Sequence, residues 1–379
     1  MTTETVLSNA RIVLCDEIVK GSVKLDDGRI VAIESGPSRI GEDLGGDYLM
    51  PGVVELHTDH LEGHYSPRPG VRWNMLGAIQ AHDAQVACSG ITTVFDCLRM
   101  GSDEDGGFDP KEMRELADAI ERAMTEGRLR AEHRLHLRCE VSAPDVLDAF
   151  AGFRDDPHVH LVSLMDHAPG QRQFRSMDAY IVYYKKKRGL TEREFEAFVQ
   201  RRIDQSARYS APHRRAIVEH CRAGGIPMAS HDDATLAHVE EAVGEGVAVS
   251  EFPTTMEAAR AAHEAGLSVL MGAPNIVRGG SHSGNVAAGD LAKAGVLDVL
   301  SSDYVPSSLL QAVFALAHDE TGITLPQAAA LVTSTPARTV GLADRGRIAE
   351  GLRADVIRVS AGDGIPIVRS VWRQGRRVA

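Results

Sequence analysis

No stretch of this chain stays apolar for long enough to span a bilayer, and Met1–Ala10 carries no signal-peptide pattern. Both absences point to a cytoplasmic protein with no membrane partner. Cysteine is scarce: Cys15, Cys88, Cys97, Cys139 and Cys221 fall in neither a CxxC pair nor a framework spacing. That excludes a disulfide scaffold and gives no support to a thiolate zinc site, so these residues are expected to be reduced and mostly packed. A basic surplus is also missing, because 41 Lys and Arg face 53 Asp and Glu, for a net charge of −12. A general nucleic-acid binder, which neutralises phosphates with a basic surface, is thereby excluded. An anionic ligand would have to be met by locally concentrated positive charge. There is no internal repeat and no low-complexity segment. What is present is an ordinary globular composition, 43% hydrophobic and 25% charged over 379 residues. That length is used up by one α/β barrel and a small accessory domain.

The two ends read as β-rich. Thr5–Leu14, Gly21–Leu25 and Arg29–Ile33 are strand-like, and the turn Asp26-Asp27-Gly28 is a hairpin signal. Arg347–Gly351, Ala354–Val359 and Ile367–Trp372 read the same way, so residues 1–50 and 341–379 are expected to form one small β-sandwich domain. Between them, residues 51–340 alternate short apolar strands with helical segments. The expected strands are Gly52–His57, Thr92–Asp96, Leu135–Val141, His160–Asp166, Ile226–His231, Val247–Phe252, Ser268–Gly272 and Leu297–Asp303. Eight such units predict a TIM-like (β/α)8 barrel. The connection from Asp166 to Ile226 is far longer than usual, holds the run Tyr183–Arg188, and ends in a helix opened by the capping box Thr191-x-x-Glu194. An insertion at about 168–225 is expected to be a lid.

The stretch Leu49–His64 organises the chain. A buried strand opened by Pro51-Gly52 delivers His57 and Asp59, and alternation would place Glu55 on their face. Four more apolar runs end in polar residues: Glu140, His167, His231 and Asp303. A lone polar residue at a strand end usually just meets solvent. Six together form a two-metal ligand set, with Glu140 able to bridge, His167 and His231 on a second ion, and Asp303 beside the water. His60 and His64 lie close enough to compete as ligands; His64 reads better as a group near substrate and His60 is left open. Asp232-Asp233 would either orient His231 or cap the following helix. Glu55 and Arg138 are expected to pair inside the barrel.

These residues in this order resemble the amidohydrolase superfamily. MPGVVELHTD resembles its first barrel strand, and Thr335-Pro336-Ala337, Gly341-Leu342, Asp344, Arg347-Ile348, Glu350-Gly351 and Ala354-Asp355 resemble its closing segment. HTDHLEGHYSPRPGV, GITTVFDCLRMG, HLRCE, MDHAPGQRQF, YYKKKRG, SHDDAT, GAPNIVRGGSHSGN and SSDY are similar to the phosphonate-degrading branch that hydrolyses α-D-ribose 1-methylphosphonate 5-triphosphate. The resemblance implies a diphosphatase releasing pyrophosphate and leaving the 5-phosphate. It also implies two divalent ions, zinc first with manganese and iron as alternatives, and Asp303 as base. Many superfamily members carry His-x-His and a carboxylated lysine where this chain has Asp59 and Glu140. The strand count puts Glu140 on the third strand and His167 and His231 on the fourth and fifth, whereas many members carry these histidines on the fifth and sixth. The motif order is given more weight than the count.

A triphosphate needs a cradle. Arg278-Gly279-Gly280-Ser281-His282-Ser283-Gly284-Asn285 follows a strand and precedes a helical segment, so its amides, Arg278, Ser281 and His282 are candidates. Arg68 and Arg72 follow the first metal strand, and Lys186 sits in the basic run of the lid. The competing reading is a hydrolase of a cyclic amide or a base deaminase, which would gain little from these cations. A non-catalytic scaffold is disfavoured by six intact ligand candidates. A homo-oligomer is compatible with the sequence, which does not set its order.

Overall fold

The computed structural model describes residues 4–102, 109–169, 171–172, 191–281, 284–318, 322–362 and 364–379. Five strands open the chain: β1 (Thr5–Val13), β2 (Ile18–Asp26), β3 (Arg29–Ser35), β4 (Glu42–Asp43) and β5 (Tyr48–Pro51). Eight follow: β6 (Val53–Thr58), β7 (Ile91–Met100), β8 (Glu132–Glu140), β9 (Val159–Met165), β10 (Met228–His231), β11 (Val249–Glu251), β12 (Ser268–Gly272) and β13 (Val299–Ser301). Three close it: β14 (Val356–Ser360), β15 (Ile367–Arg373) and β16 (Arg376–Arg377).

Strands from both ends form one sheet in the order β16-β15-β14-β5-β1-β2-β3, with β4 on β1. The β2–β3 hairpin turns on Asp27 and Gly28, both at positive φ (45° and 75°), as the Asp-Gly signal requires. Ile30 of β3 and Trp372 of β15 stand far apart in strand order yet share one apolar cluster with Leu7, Ile12, Val23, Leu49 and Val356. The sheet therefore wraps around a core of its own. The expected strand at Arg347–Gly351 does not form. That segment is a turn beside β3, where Gly351 N donates to Ile30 O (2.8 Å) and Ile30 N to Leu352 O (2.9 Å).

Strands β6 to β13 are parallel and pair in sequence order. The cylinder closes at a bridge between Thr58 and Asp303, where Asp303 N donates to His57 O (3.2 Å) and Asp59 N to Asp303 O (2.9 Å). Val54, Leu56, Phe95, Leu161, Ala229, Val249, Leu270 and Val299, all but fully buried, pack together as the barrel's interior filling. The chain crosses from terminal sheet to barrel at Gly52. A Cβ there would lie 2.2 Å from Thr92 Oγ1, so only glycine fits. The strand count read from the sequence holds: Glu140 ends the third barrel strand, His167 follows the fourth and His231 ends the fifth. Motif order therefore does not move the histidines to the fifth and sixth.

The long connection carries a 33-residue helix, Glu192–Gly224, opened by the Thr191–Glu194 capping box. It is anchored over the ends of β8 and β9. Ser206 and Ser210 Oγ each donate to Asp166 Oδ2 at 2.7 Å, and Arg202 Nη2 donates to Glu140 Oε1 at 3.2 Å.

Candidate metal centre

β6 does not run regularly into the site. Its pairing with β7 shifts register between Glu55 and Thr58, so simple alternation does not carry across it. Glu55 and Arg138 consequently do not pair with each other. Glu55 accepts from the amides of His57 (Oε1, 2.7 Å) and Ser302 (Oε2), and Arg138 is ion-paired with Asp59.

The imidazoles converge. The His57 and His231 rings stack at 5.6 Å between centroids, His167 meets His231 edge-on at 5.5 Å, and Phe252 packs edge-on against His57 (5.0 Å) and His231 (5.3 Å). Behind them stands a carboxylate that the sequence reading missed. Glu251, fully buried, takes His57 Nδ1 on Oε1 (3.1 Å) and His231 Nδ1 on Oε2 (3.0 Å), with Ser163 Oγ donating to Oε2 at 2.7 Å. A carboxylate on Nδ1 sets the tautomer and leaves both Nε2 atoms as ligand lone pairs. His57 Nε2 then lies 3.9 Å from Asp59 Oδ1, and His231 Nε2 lies 3.5 Å from Asp232 Oδ2.

Asp232 Oδ2 is also 3.6 Å from His167 Nε2 and is buried with no hydrogen-bond partner among the described residues. An orphaned carboxylate oxygen facing two imidazole nitrogens fits a cation. The charges agree: although burial pushes His167 down, Glu140 and Asp232 hold it up, to about 10. The alternative reading of Asp232-Asp233 as a helix cap fails, because the cap of Leu236–Gly244 is Thr235. Asp233 is instead bound by Arg172 and by Ser230 Oγ (2.7 Å).

Glu140 sits behind His167. Its Oε2 meets His167 Nδ1 at 2.7 Å, while Oε1 accepts from the His167 amide (3.1 Å), Arg202 and Ser142. Asp303 is brought beside His57 through the barrel closure. Burial, and next the negative charge of Asp59, raise its carboxyl above the usual range. Asp232, Phe252 and Asp303 each leave their strands at positive φ (59°, 53° and 54°). Three left-handed non-glycine residues at the ends of β10, β11 and β13 store strain of about 1–3 kcal/mol each, a pattern found at functional sites. Cys97 lies beside His57, and burial pushes its thiol up to about 11. Cys139 and Cys221 are also buried, whereas Cys15 and Cys88 are exposed.

The expected substrate groups are placed differently. Arg68 lies in an exposed turn; Arg72 donates to Glu112 Oε1 (2.9 Å) and Ser66 Oγ (3.0 Å). Arg278 is exposed as the last residue of the helix Ala273–Arg278, and Gly279 at φ 77° caps that helix's C-terminus. The glycine-rich segment thus starts as a helix end, and the next helix begins only at Ala288. Ser281 Oγ accepts from Asn285 N at 3.3 Å. His64 turns to His60 and His82, away from the His57 group. Lys186 and His282 lie outside the described residues. The sequence reading missed Glu251, Arg202 and Arg172. Only Glu251 carried a local signal, as the acid ending another apolar strand.

Such a barrel, with imidazoles and carboxylates converging at its C-terminal strand ends and a sheet built from both termini, defines a barrel hydrolase with a candidate metal centre. The chain belongs to the amidohydrolase family, which its residues 66–379 match. It is 47% identical over 376 residues to the α-D-ribose 1-methylphosphonate 5-triphosphate diphosphatase of Escherichia coli (strain K12), covering 98% of this chain and 100% of that one. Its fold is similar to 5-methylcytosine deaminase from Klebsiella pneumoniae (TM-score 0.66, 14% identity, 99% and 98% covered). It is likewise similar to N-acetyl-D-glucosamine-6-phosphate deacetylase from Mycobacterium smegmatis (TM-score 0.64, 16% identity, 99% of each chain covered).

Proposed function

We propose that this protein hydrolyses α-D-ribose 1-methylphosphonate 5-triphosphate to the 5-phosphate and pyrophosphate. The observation that carries this reading is the full-length 47% identity to the Escherichia coli diphosphatase. His57, Asp59, Glu140, His167, His231 and Asp303 are the residues proposed to hold two divalent ions, zinc first, with manganese or iron as alternatives. Asp232 joins them on the strength of its orphaned Oδ2. When bound, the ions supply an acidified water and neutralise charge on the phosphoryl oxygens. Asp303 accepts the proton of the attacking water at its carboxylate. The water oxygen bonds to phosphorus, the anhydride bond breaks, and pyrophosphate leaves. Glu251 orients the two imidazoles, and Arg202 neutralises Glu140 from the insertion helix. Arg278, with Arg68, Arg72 and Ser281, is proposed to attract and hold the triphosphate.

The test compares pyrophosphate release from a sugar triphosphate with hydrolysis of an uncharged cyclic amide, in wild type and Arg278→Ala. The expected result is a preference for the triphosphate and a raised KM for it alone in the variant. Equal losses on both substrates, or a wild type that prefers the amide, would overturn the diphosphatase reading.

A further inference from the structure

A second group of imidazoles stands outside the barrel wall, and the chemistry above does not use it. His60 and His64 occupy positions i and i+4 of the short helix His60–Tyr65, so both rings leave the same face. His82 comes from the helix Met75–Cys88 packed against it. Ring centroids are 4.8 Å apart for His60 and His64, 5.8 Å for His60 and His82, and 6.1 Å for His64 and His82. One ligand nitrogen from each lies within 4.8 Å of the other two.

Two features distinguish this group from histidines that merely pack. First, His60 Nδ1, His64 Nε2 and His82 Nδ1 are each buried with no hydrogen-bond partner among the described residues. A buried polar atom left unpaired costs free energy, and three in one place need a common explanation. Second, His82, completely buried, is oriented from behind: its Nε2 is 2.8 Å from Asp96 Oδ1. Asp96 Oδ2 in turn meets His133 Nδ1 at 2.7 Å, and His133 Nε2 lies 3.3 Å from Asp83 Oδ1. A carboxylate on Nε2 keeps the proton there and leaves the Nδ1 lone pair facing the other two rings, the usual support of a metal-bound histidine.

The position is separate from the barrel interior. On β7, Phe95 packs with the interior filling and Cys97 faces His136, whereas Asp96, between them, points out to His82 and His133. We infer that His60, His64 and His82 form a metal site of their own, taking one divalent transition ion of the zinc class. Three neutral imidazoles suit zinc, cobalt, nickel or copper and not the oxygen-seeking magnesium or calcium, and a water would complete a tetrahedral shell. A six-residue helix is too short to be stable by itself, so an ion shared with His82 would staple it to the longer helix. That helix begins directly after Asp59 and leads into the turn holding Arg68, so the staple would fix the backbone on both sides.

The test is metal analysis of the full chain, stripped by chelation and reloaded with zinc, in wild type, His64→Gln, His60→Gln and His231→Gln. His64→Gln and His60→Gln should each bind one ion per chain fewer than wild type and lose the rise in Tm that zinc gives. His231→Gln, altered only in the barrel interior, should keep the ion held by the three histidines. Should the helix variants misfold, crystals of zinc-loaded wild type decide: anomalous scattering at the zinc edge should show a peak among the three rings. Unchanged stoichiometry in folded His64→Gln, or no peak there at full zinc loading, overturns the inference. Cobalt in place of zinc should add the absorption of a tetrahedral or five-coordinate nitrogen site to that of the barrel centre, and His64→Gln should lose that increment.

Discussion

Glu251 Oε1 lies 3.1 Å from His57 Nδ1, so the carboxylate ending the sixth barrel strand decides which nitrogen of the first strand's imidazole is left to bind. The same carboxylate holds His231 through its other oxygen. Glu251→Gln preserves shape but can accept only on one side, releasing one ring from its tautomer. Affinity for the barrel metals should fall about 10–100-fold, as for other partners of metal-bound histidines. Competition with a chromophoric chelator measures it, and unchanged affinity would show that Glu251 only fills space.

Asp303→Asn should keep the metals and lose most turnover. An amide cannot take the water's proton, and general-base contributions run to roughly 10²–10⁴-fold. Near-normal kcat with full metal content would assign the base to another group.

Arg202 is the insertion helix's grip on Glu140, and both side chains are buried. Arg202→Met removes the positive charge and keeps bulk, leaving the Glu140 carboxylate short of its countercharge. The expected loss is about 3–5 kcal/mol of stability, read as a lowered denaturant midpoint. A midpoint within error of wild type would mean that the helix is held by its other contacts, such as Ser206 and Ser210 on Asp166 and Arg214 on Glu245.

Acid should weaken the junction between barrel and terminal sheet. Burial by itself would raise the Glu132 carboxyl, but Arg353 and Arg345 hold it well below the usual range. A carboxyl depressed on folding contributes stability that is fully present above its unfolded value of about 4.3 and is lost as pH falls below that. Thermal melts of wild type and Glu132→Gln should therefore differ most near neutral pH and converge on acidification. A difference that stays constant as pH falls from about 4 to about 2 would rule out this linkage.

The strand ends were legible because apolar runs closed by one polar residue are what a parallel barrel produces. Ser268–Gly272 was read to the residue, and His167 and His231 stood out for that reason. Glu251 carries the same signal. It was passed over because the strand was read through to Phe252, which leaves the ladder at positive φ. Arg172 and Arg202 were not legible. Each acts some 60 residues from its partner in sequence, and a charged residue in a polar insertion has no local mark of burial. The helix end at Gly279 was not legible because glycines that cap a helix look, in sequence, like glycines that open an anion loop. The Thr191–Glu194 box was read correctly because both of its bonds lie within four residues.

The pairing of Thr58 with Asp303 has a consequence for biosynthesis. The seam that completes the cylinder joins segments far apart in sequence, so the earlier one waits for the later one to be made. A nascent chain that has emerged only as far as Ser301 carries His57, Asp59, His167 and His231 but cannot yet close the ring that aligns them. Ribosome stalling or proteolytic clipping before Asp303 should therefore yield fragments that are inert as well as incomplete, and metal capture in the barrel should follow the synthesis of Asp303.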